Sequence, residues 1–389
     1  MAVMGHDAVL GLQSGVKWIN DRGGINVQGV KVPVRLIYFD DECNKDYAIS
    51  LTEKLIVEDK IHFFVPPWTP EYVLATVPVC ERHKIVSISV SGGADPEYQQ
   101  GFKYMIQYAR HGTFSFRLEI EAIRKTDPEA KTVALIASAA DVGGAFREAA
   151  LKYSQMNGFT VIYDVIYPED ISDAAPMLRE IAALKPDVLL GATFPKSGFL
   201  IASQLKDLRI NIKWVRLSMV VDKKEFAETY GKYAVGFLHN AQYDPRTKYE
   251  IFAAREGKPF VGPTNDELTE IFKTLGGTGK PHPEVGMAAP APIIMAKFIE
   301  DARSLDPDKI VSVALASEFY TIRGLFKLDP TNPARNIGLE TAGVVVQWQK
   351  KENKLVYESV YPTEFATSTL IPMPTWEEKD TWPELELEW

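Results

Sequence analysis

Short apolar runs alternate along this chain with segments whose apolar residues recur at helical spacing. The run IHFFVP (61–66) precedes a helical segment at 70–83, and a second run, KIVSISV (84–90), follows it. Turn-bounded apolar runs are typical of buried strands, and their alternation with helices favours parallel sheets covered on both faces. The pattern predicts strands at 32–41, 61–66, 84–90, 132–138, 160–167, 187–193, 213–218 and 234–239, and helices at 46–59, 70–83, 143–157, 174–184, 197–208 and 222–231.

The alternation stops in the last third of the chain. Residues 263–318 predict mostly helix, and AGVVVQWQKKENKLVYESVY (342–361) predicts a β-hairpin. The tail at 366–389, rich in Pro, Trp and Glu, predicts an irregular surface segment. This order favours a chain that passes between two lobes more than once.

Composition narrows the function classes. The net charge of −9 argues against a nucleic-acid binder, which needs a basic face to neutralise phosphates. No apolar run has the length of a membrane span, and MAVMGHDAVLG at the start lacks the basic region and apolar core of a signal peptide. Cys43 and Cys80 are the two cysteines, too few for a disulfide scaffold or a zinc cluster; a single bridge between them stays open.

Helix starts after predicted strands carry the candidate binding chemistry. Thr69 is a predicted N-cap before Pro70, and Asp95–Pro96–Glu97 repeats this arrangement after Gly92–Gly93. Pro195 marks a third junction, and Asp222 is a candidate cap at a fourth. Free N–H groups at such starts suit a carboxylate, if several of them lie at one place. The alternative is that each is only a well-made cap.

Motifs for catalysis or phosphate binding are absent from the sequence. SGGADP lacks the third glycine of a dinucleotide loop, and GGTGKPH (276–282) has Pro281 where a phosphate loop needs Ser or Thr. The six histidines show no paired metal-binding spacing, and no G-x-S-x-G occurs. The acidic trio Asp40–Glu42 fits a solvated loop better than a metal or acid–base site. We therefore expect a binding protein, not an enzyme, with no metal and no cofactor.

Several segments together resemble a known family. These are GHDAVLG, INDRGGI, DDECN after a strand and EKLIVEDKI in the first part, and DVGGAFREAALKYSQMNGFTVIYDVIYPEDISDAAPMLREIAALKPDVLLGA in the second. Their order and spacing resemble the periplasmic substrate-binding proteins of ABC transporters, of the leucine/isoleucine/valine-binding type. The resemblance covers roughly residues 4–360.

The resemblance implies an α/β protein with the type I periplasmic binding fold. This fold has two doubly wound parallel-sheet lobes, joined by three crossovers, with the ligand in the cleft between them. The crossovers fall near 105–112, 238–246 and 322–330. Lobe 1 is then 1–108 plus 243–325, lobe 2 is 109–242 plus 326–365, and 366–389 is an irregular C-terminal tail. Because the family has a strand before the GHDAVLG helix, we expect that strand upstream of the recorded start.

The resemblance also implies a set of ligand-binding residues. In the family, an acidic residue near the position of Met219 pairs with the ammonium group of an amino acid, and this sequence lacks that residue. Gly93 stands where the family often has a threonine, and Val142 stands where it often has a tyrosine. Trp68, Phe194 and Met219 indicate an apolar pocket that accepts an aromatic body. The alternative is an alignment shifted by one or two residues. The predicted ligand-binding residues are Trp68, Thr69, Ser91, Gly92, Gly93, Val142, Thr193, Phe194 and Met219.

The function that the resemblance implies is capture of a small organic acid by hinge closure and its delivery to an ABC permease. We expect a carboxylate with an apolar or aromatic body and no required amine, bound by a monomer in the periplasm or outside the cell. A signal peptide would then be absent from this record. The alternatives are a ligand-sensing domain of the same fold and, less favoured, a Rossmann-like enzyme.

Overall fold

The computed structural model describes residues 2–139 and 143–388. The chain divides into two compact units. Unit 1 comprises Met1–His111 and Gln242–Gly343, and unit 2 comprises Gly112–Ala241 and Val344–Trp389. The chain therefore passes from one unit to the other three times.

The first segment of unit 1 begins with a long helix and a small hairpin, and continues as a strand–helix alternation. Its parallel sheet has the order β3-β4-β5, and β1 pairs with β2 in a separate antiparallel ladder. The elements are α1 (Ala2–Asp21), β1 (Ile25–Val27), β2 (Val30–Val32), α2 (Lys45–Val57), β3 (Phe63–Phe64), α3 (Pro70–His83), β4 (Val86–Ser89), α4 (Asp95–Gln99) and β5 (Met105–Gln107).

The first segment of unit 2 follows the same alternation with longer strands. Its elements are α5 (Arg117–Thr126), β6 (Thr132–Ser138), α6 (Gly143–Met156), β7 (Thr160–Tyr167), α7 (Ala175–Leu184), β8 (Val188–Ala192), α8 (Pro195–Asp207), β9 (Trp214–Leu217), α9 (Lys224–Tyr230) and β10 (Phe237–Ala241).

The chain then returns to unit 1 as helices followed by three antiparallel strands, and ends in unit 2. The returning elements are α10 (Tyr249–Glu256), α11 (Asn265–Thr274), α12 (Pro283–Ala288), α13 (Pro290–Ala302), α14 (Pro307–Ala316), β11 (Glu318–Thr321), β12 (Gly324–Asp329) and β13 (Asn332–Asn336). The closing elements are β14 (Val344–Lys351), β15 (Lys354–Tyr361), α15 (Trp376–Asp380) and β16 (Glu386–Glu388).

The sheet of unit 2 is mixed and is covered on both faces. Its order is β16-β15-β14-β10-β9-β8-β6-β7, with β14 antiparallel to β10. Along β6, Ala134 and Ile136 belong to one apolar cluster, while Val133 and Leu135 belong to another. Because successive side chains of a strand point to opposite faces, these clusters are the cores on the two sides of the sheet. The α/β class predicted from the alternating pattern is confirmed.

Helix starts follow the local sequence at several positions. The Asn44 side chain accepts the Tyr47 N–H (N···O 3.0 Å) and so caps α2. At α11, Thr264 and Glu267 exchange hydrogen bonds with each other's backbone N–H groups. Such caps satisfy N–H groups that the first turn of a helix leaves without partners.

The strand predicted at 32–41 is wrong over most of its length. β2 ends at Val32, and no described ladder includes residues 33–40. The backbone of Val34 bonds instead to the side chain of Asn20, with distances of 2.8 and 2.9 Å. Tyr38 and Phe39 are exposed. Alternating apolar residues do not make a strand where the backbone lacks a neighbour to pair with.

The last crossover and the tail also differ from the sequence-based expectation. The predicted crossover near 322–330 is wrong, because β12 pairs with β11 and β13 and keeps 324–336 in unit 1. The tail at 366–389 is not irregular throughout. Trp376 is buried and donates its Nε1–H to the Ile210 carbonyl (3.0 Å), and β16 extends the sheet parallel to β15.

Cys43 and Cys80 are both free, the first exposed and the second buried. No helix within residues 2–139 and 143–388 has the length and apolar character needed to cross a membrane.

Candidate functional site

Two loops of unit 1 leave the same edge of its parallel sheet. β3 and β4 pair in parallel, with Phe63 opposite Val86 and Phe64 opposite Ser87. The loop at 65–69 follows β3 and the loop at 90–94 follows β4. The carboxyl ends of parallel strands are the usual place for a ligand in such sheets. The structure thus brings Trp68, Thr69, Ser91, Gly92 and Gly93 to one edge of unit 1.

Thr69 holds an unusual backbone conformation and an unused hydroxyl. Its φ of +87° lies in the region that β-branched residues rarely adopt. It occupies the N-cap position of α3 as predicted, but its side chain makes no capping hydrogen bond. Among the described residues, its buried Oγ1 has no hydrogen-bond partner. A strained residue with a buried free hydroxyl is a candidate for ligand contact.

Ser91 offers a second hydroxyl of this kind. Its residue is 4% exposed, and its Oγ also has no partner within the described part of the chain. The Ser91 carbonyl accepts the Ser89 hydroxyl (2.7 Å), which fixes the backbone of this turn. Trp68, beside Thr69, is partly buried and packs against the core of unit 1. The edge therefore combines two buried hydroxyls with one aromatic side chain.

Two N–H groups of the glycine loop are already occupied. The Gly93 and Ala94 N–H groups donate to Glu97 Oε1, at 3.0 and 3.3 Å. The other oxygen, Oε2, accepts from Gln107 Nε2 (3.1 Å). The Gly93 N–H is thus not available to a ligand carboxylate. This differs from the expectation that the helix start after Gly92–Gly93 offers free N–H groups to a carboxylate. These three hydrogen bonds lower the pKa of Glu97, but burial has the larger effect and raises it to about 7.

Two features of the structure favour glycine at position 92. Its φ is +89°, and a Cβ at this position would lie 2.5 Å from both carboxylate oxygens of Glu97. Only glycine adopts this conformation freely and leaves room for the carboxylate.

Unit 2 has a corresponding sheet edge where β8 and β9 end side by side. Gly191 lies opposite Leu217 in the parallel ladder, so residues 193–194 and 218–222 follow at the same edge. Thr193 is fully buried, and its Oγ1 donates to the Ser218 carbonyl (2.7 Å). This placement favours a role in holding the two loops together. Phe194 precedes α8, where Pro195 takes the first helical position. Val142 lies outside the described residues.

A buried ion pair supports these loops. The Arg216 Nε–H donates to Glu119 Oε1 (2.7 Å), and both side chains are almost fully buried. Its Nη1 donates to the Gly191 carbonyl (3.2 Å) and to the Ser218 hydroxyl. The guanidinium lies 3.7 Å from the centre of the Phe116 ring. Arg216 therefore ties the end of β8 to the start of the loop after β9.

The loop after β9 also carries a buried carboxylate. Met219 has a left-handed backbone, with φ +59°, and is partly exposed. Three residues later, Asp222 is 8% exposed, and its Oδ1 has no partner among the described residues. Its Oδ2 lies 3.7 Å from His239 Nε2. The predicted capping role of Asp222 is wrong, since α9 begins at Lys224 after Lys223.

Sequence reasoning missed the roles of Glu97, Arg216 and Asp222. Glu97 was expected only to favour the start of a helix, and Asp222 to cap one. A sequence signal did exist for Arg216: an arginine inside the apolar run 213–218 needs a partner when it is buried.

The profile of the family described as periplasmic binding protein matches residues 1–352. The chain belongs to this family. Membership implies an extracytoplasmic location. The proteins of this family are substrate-binding proteins rather than enzymes.

Solved structures share the fold at low sequence identity. A putative branched-chain amino acid ABC transporter protein from Silicibacter pomeroyi matches with a TM-score of 0.79 and 15% identity, covering 96% of each chain. The leucine-binding protein LivK from Thermotoga maritima matches at 0.71 and 18%, covering 92% of this chain and 94% of that one. A solute-binding protein from R. palustris, in complex with 4-hydroxybenzoate, matches at 0.71 and 17%, covering 97% and 95%. The resemblance to this class of proteins is confirmed.

Proposed function

We propose that this chain is an extracytoplasmic solute-binding protein that captures a small organic acid and delivers it to an ABC permease. The observation that carries the proposal is the pair of buried hydroxyls, Thr69 Oγ1 and Ser91 Oγ, at one sheet edge of unit 1. Buried hydroxyls without partners are costly unless a ligand completes them. A ligand carboxylate accepts hydrogen bonds from both, so it fits this pair.

The aromatic side chains indicate the body of the ligand. Trp68 stands beside Thr69 on unit 1, and Phe194 and Met219 follow the strand ends of unit 2. Aromatic and thioether groups favour an apolar or aromatic body. The relative from R. palustris was solved with 4-hydroxybenzoate, an acid of this class.

A second ligand class, the amino acids, is favoured by Asp222. Its buried Oδ1 has no partner in the described part of the chain, and a carboxylate of this kind suits an ammonium group. The relatives include a leucine-binding protein. This class differs from the acid without an amine that the sequence favoured.

A thermal-shift screen separates these classes. The panel is 4-hydroxybenzoate, 3,4-dihydroxybenzoate, leucine and isoleucine, each with its primary amide, which lacks the carboxylate, as the control. A bound acid raises the melting temperature through linkage, and its amide does not. Stabilisation by a benzoate supports the first class, and stabilisation by an amino acid that Asp222→Asn abolishes supports the second. A flat response to all four acids contradicts the proposal.

Delivery to a permease is tested separately. We expect the loaded protein to stimulate ATP hydrolysis by its permease complex in liposomes, and the unloaded protein to stimulate it less. Equal ATP hydrolysis with and without the acid contradicts delivery.

A further inference from the structure

Glu97 is a buried carboxylate whose hydrogen-bond partners in the described part of the chain are all uncharged. It is 0% exposed, and the groups that bond to it are the Gly93 and Ala94 N–H groups and the amide of Gln107. An isolated charge in such a place is unfavourable, because three neutral hydrogen bonds replace water only in part.

The loop is shaped around this carboxylate. The oxygens fill the space beside Gly92, where a Cβ would approach both to 2.5 Å. Oε1 accepts two N–H groups and Oε2 accepts one. Since a carboxylate oxygen has two lone pairs, Oε2 keeps one position that can hold a proton. Protonation there leaves all three existing hydrogen bonds intact.

The charged groups on the surrounding elements are engaged elsewhere. Arg335 on β13 pairs with Glu340 (2.8 Å) and Asp329 (3.5 Å). Tyr98, on the same helix as Glu97, packs against the His111 ring at 4.1 Å. Burial raises the pKa of Glu97, and its hydrogen bonds from Ala94, Gly93 and Gln107 lower it. The other titratable side chains of the helix that packs against α4 are Glu71, Tyr72, Cys80, Glu81, Arg82 and His83.

We propose that Glu97 couples the binding of an anionic ligand at Thr69 and Ser91 to the uptake of one proton. The inference rests on the proposed function, since it concerns the same site. Ser91 lies two residues from Gly93, whose N–H bonds to Glu97. A ligand carboxylate at the Ser91 hydroxyl places a second negative charge near the first, in a region of low dielectric. Glu97 then takes a proton from solvent, so the ligand arrives as an anion and the site gains no net charge.

The coupling has a defined direction. Above a pH of about 7 the carboxyl of Glu97 is ionised in the free protein, so binding must bring a proton. Affinity for an anionic ligand therefore falls as pH rises beyond about 7, by up to about tenfold per pH unit. Below that pH the proton is already present and affinity is flat.

The first experiment needs no mutation. The wild-type protein is titrated calorimetrically with 4-hydroxybenzoate and 3,4-dihydroxybenzoate at pH 7.5, in phosphate and in Tris buffer. Because the two buffers release protons with different enthalpies, a difference in the measured binding enthalpy gives the number of protons taken up. We expect an uptake between a half and one proton. The matched amide, 4-hydroxybenzamide, is expected to take up none.

The second experiment assigns the proton to Glu97. Glu97→Gln is expected to abolish the uptake and to give a flat affinity between pH 6.5 and 8.5. His111→Gln is the control, since the His111 ring packs against Tyr98 of α4; this variant is expected to keep the uptake. Uptake that survives in Glu97→Gln, or that His111→Gln removes, overturns the inference.

The outcomes of these experiments distinguish a failure of the proton-uptake inference from a failure of the proposed function. Binding of a benzoate without proton uptake in the wild-type protein overturns the inference and leaves the proposed function standing. Absence of binding by both benzoates and by leucine and isoleucine overturns the proposed function, and with it the inference. If Glu97→Gln does not fold, the two-buffer titration of the wild-type protein decides alone.

Discussion

Each unit buries a glutamate near the edge of its sheet, and the two carboxylates have different kinds of partner. Glu97 in unit 1 and Glu119 in unit 2 are both 0% exposed. Glu119 bonds to the guanidinium of Arg216 (2.7 Å), whereas the partners of Glu97 are two backbone N–H groups and one amide. A guanidinium keeps its charge across the physiological range. The buried glutamate of unit 2 therefore has a cation as its partner, whereas the described partners of the buried glutamate of unit 1 are uncharged.

The difference bears on function. In unit 2 the pair ties the end of β8 to the loop after β9, so its role is to hold that edge rigid. In unit 1 the carboxylate occupies the N–H groups of Gly93 and Ala94, and the proposed ligand contacts are the buried hydroxyls of Thr69 and Ser91. The first arrangement is structural, and the second can respond to the charge of what binds.

The largest effect is expected from breaking the pair in unit 2. Arg216→Met leaves Glu119 buried without its cation, and should lower the free energy of unfolding by about 3 to 5 kcal/mol. Urea unfolding measures this. Lys224→Met is the control, since Lys224 forms an exposed pair with Glu228 (2.8 Å) and its loss should cost far less stability than that of Arg216.

Removing both members of the pair sharpens the test. Arg216→Met combined with Glu119→Leu should recover much of the lost stability, because no charge is left buried. A single variant that costs as little as the exposed control would contradict the comparison.

Neutralising the glutamate of unit 1 should change how stability depends on pH. The folded protein raises the pKa of Glu97 from its ordinary 4.5 to about 7, so it holds this proton more tightly than the unfolded chain does. The resulting stabilisation is complete below about pH 4.5 and is lost as pH rises through about 7. The loss amounts to at most about 3 kcal/mol, at about 1.4 kcal/mol per pH unit. In Glu97→Gln this contribution should disappear.

The measurement is the difference in unfolding free energy between wild type and Glu97→Gln at several pH values. The difference in unfolding free energy at low pH reports the hydrogen bond that Gln107 Nε2 donates to Glu97. The amide of the variant cannot accept this bond in the same way. The slope between pH 4.5 and 7 reports the proton. Parallel curves for the two proteins would show that Glu97 does not titrate as described.

The aromatic side chains should affect binding more than folding. Trp68→Ala and Phe194→Ala are each expected to weaken binding of the acid found in the screen by roughly 1 to 3 kcal/mol, because each removes apolar contact area. Calorimetry measures the affinity, and Met156→Ala, at an exposed position in unit 2, is the control. Unchanged affinity in both aromatic variants would place the ligand elsewhere.

Gly92→Ala should give the smallest effect, a loss of about 1 to 2 kcal/mol in the free energy of unfolding. The new Cβ approaches the Glu97 oxygens and the backbone must keep a φ of +89°. In a Glu97→Ala background only the backbone cost remains, so the substitution should cost less there. Equal costs in both backgrounds would show that the carboxylate does not shape this loop.

Much of the fold could be predicted from local sequence, because buried strands and amphipathic helices leave different periods. The runs at 132–138 and 187–193 became β6 and β8, and the hairpin at 342–361 became β14 and β15. The structures of the segment at 33–40 and of the tail could not be predicted from these periods. Whether an extended segment becomes a strand depends on a neighbour from elsewhere in the chain, as β16 finds in β15.

The sequence predicted which loops share a sheet edge, but not the hydrogen bonds within them. Because β3 and β4 pair in parallel, the loops that carry Thr69 and Ser91 leave the same sheet edge, and their role in binding stays a prediction. The occupation of the Gly93 N–H by Glu97 depends on how a side chain four residues away folds back onto the loop. Spacing along the sequence does not determine that rotamer.

The central claim is that the hydroxyls of Thr69 and Ser91 bind the carboxylate of a small acid. Calorimetric titration of wild type, Thr69→Val and Ser91→Ala with 4-hydroxybenzoate, 3,4-dihydroxybenzoate, leucine and isoleucine tests it most directly. We predict that at least one acid binds the wild-type protein, and that each variant weakens its binding by about 1.5 to 3 kcal/mol, as expected for a hydrogen bond to a charged group. Binding that both variants leave unchanged, or no binding by any of the four acids, would contradict the claim.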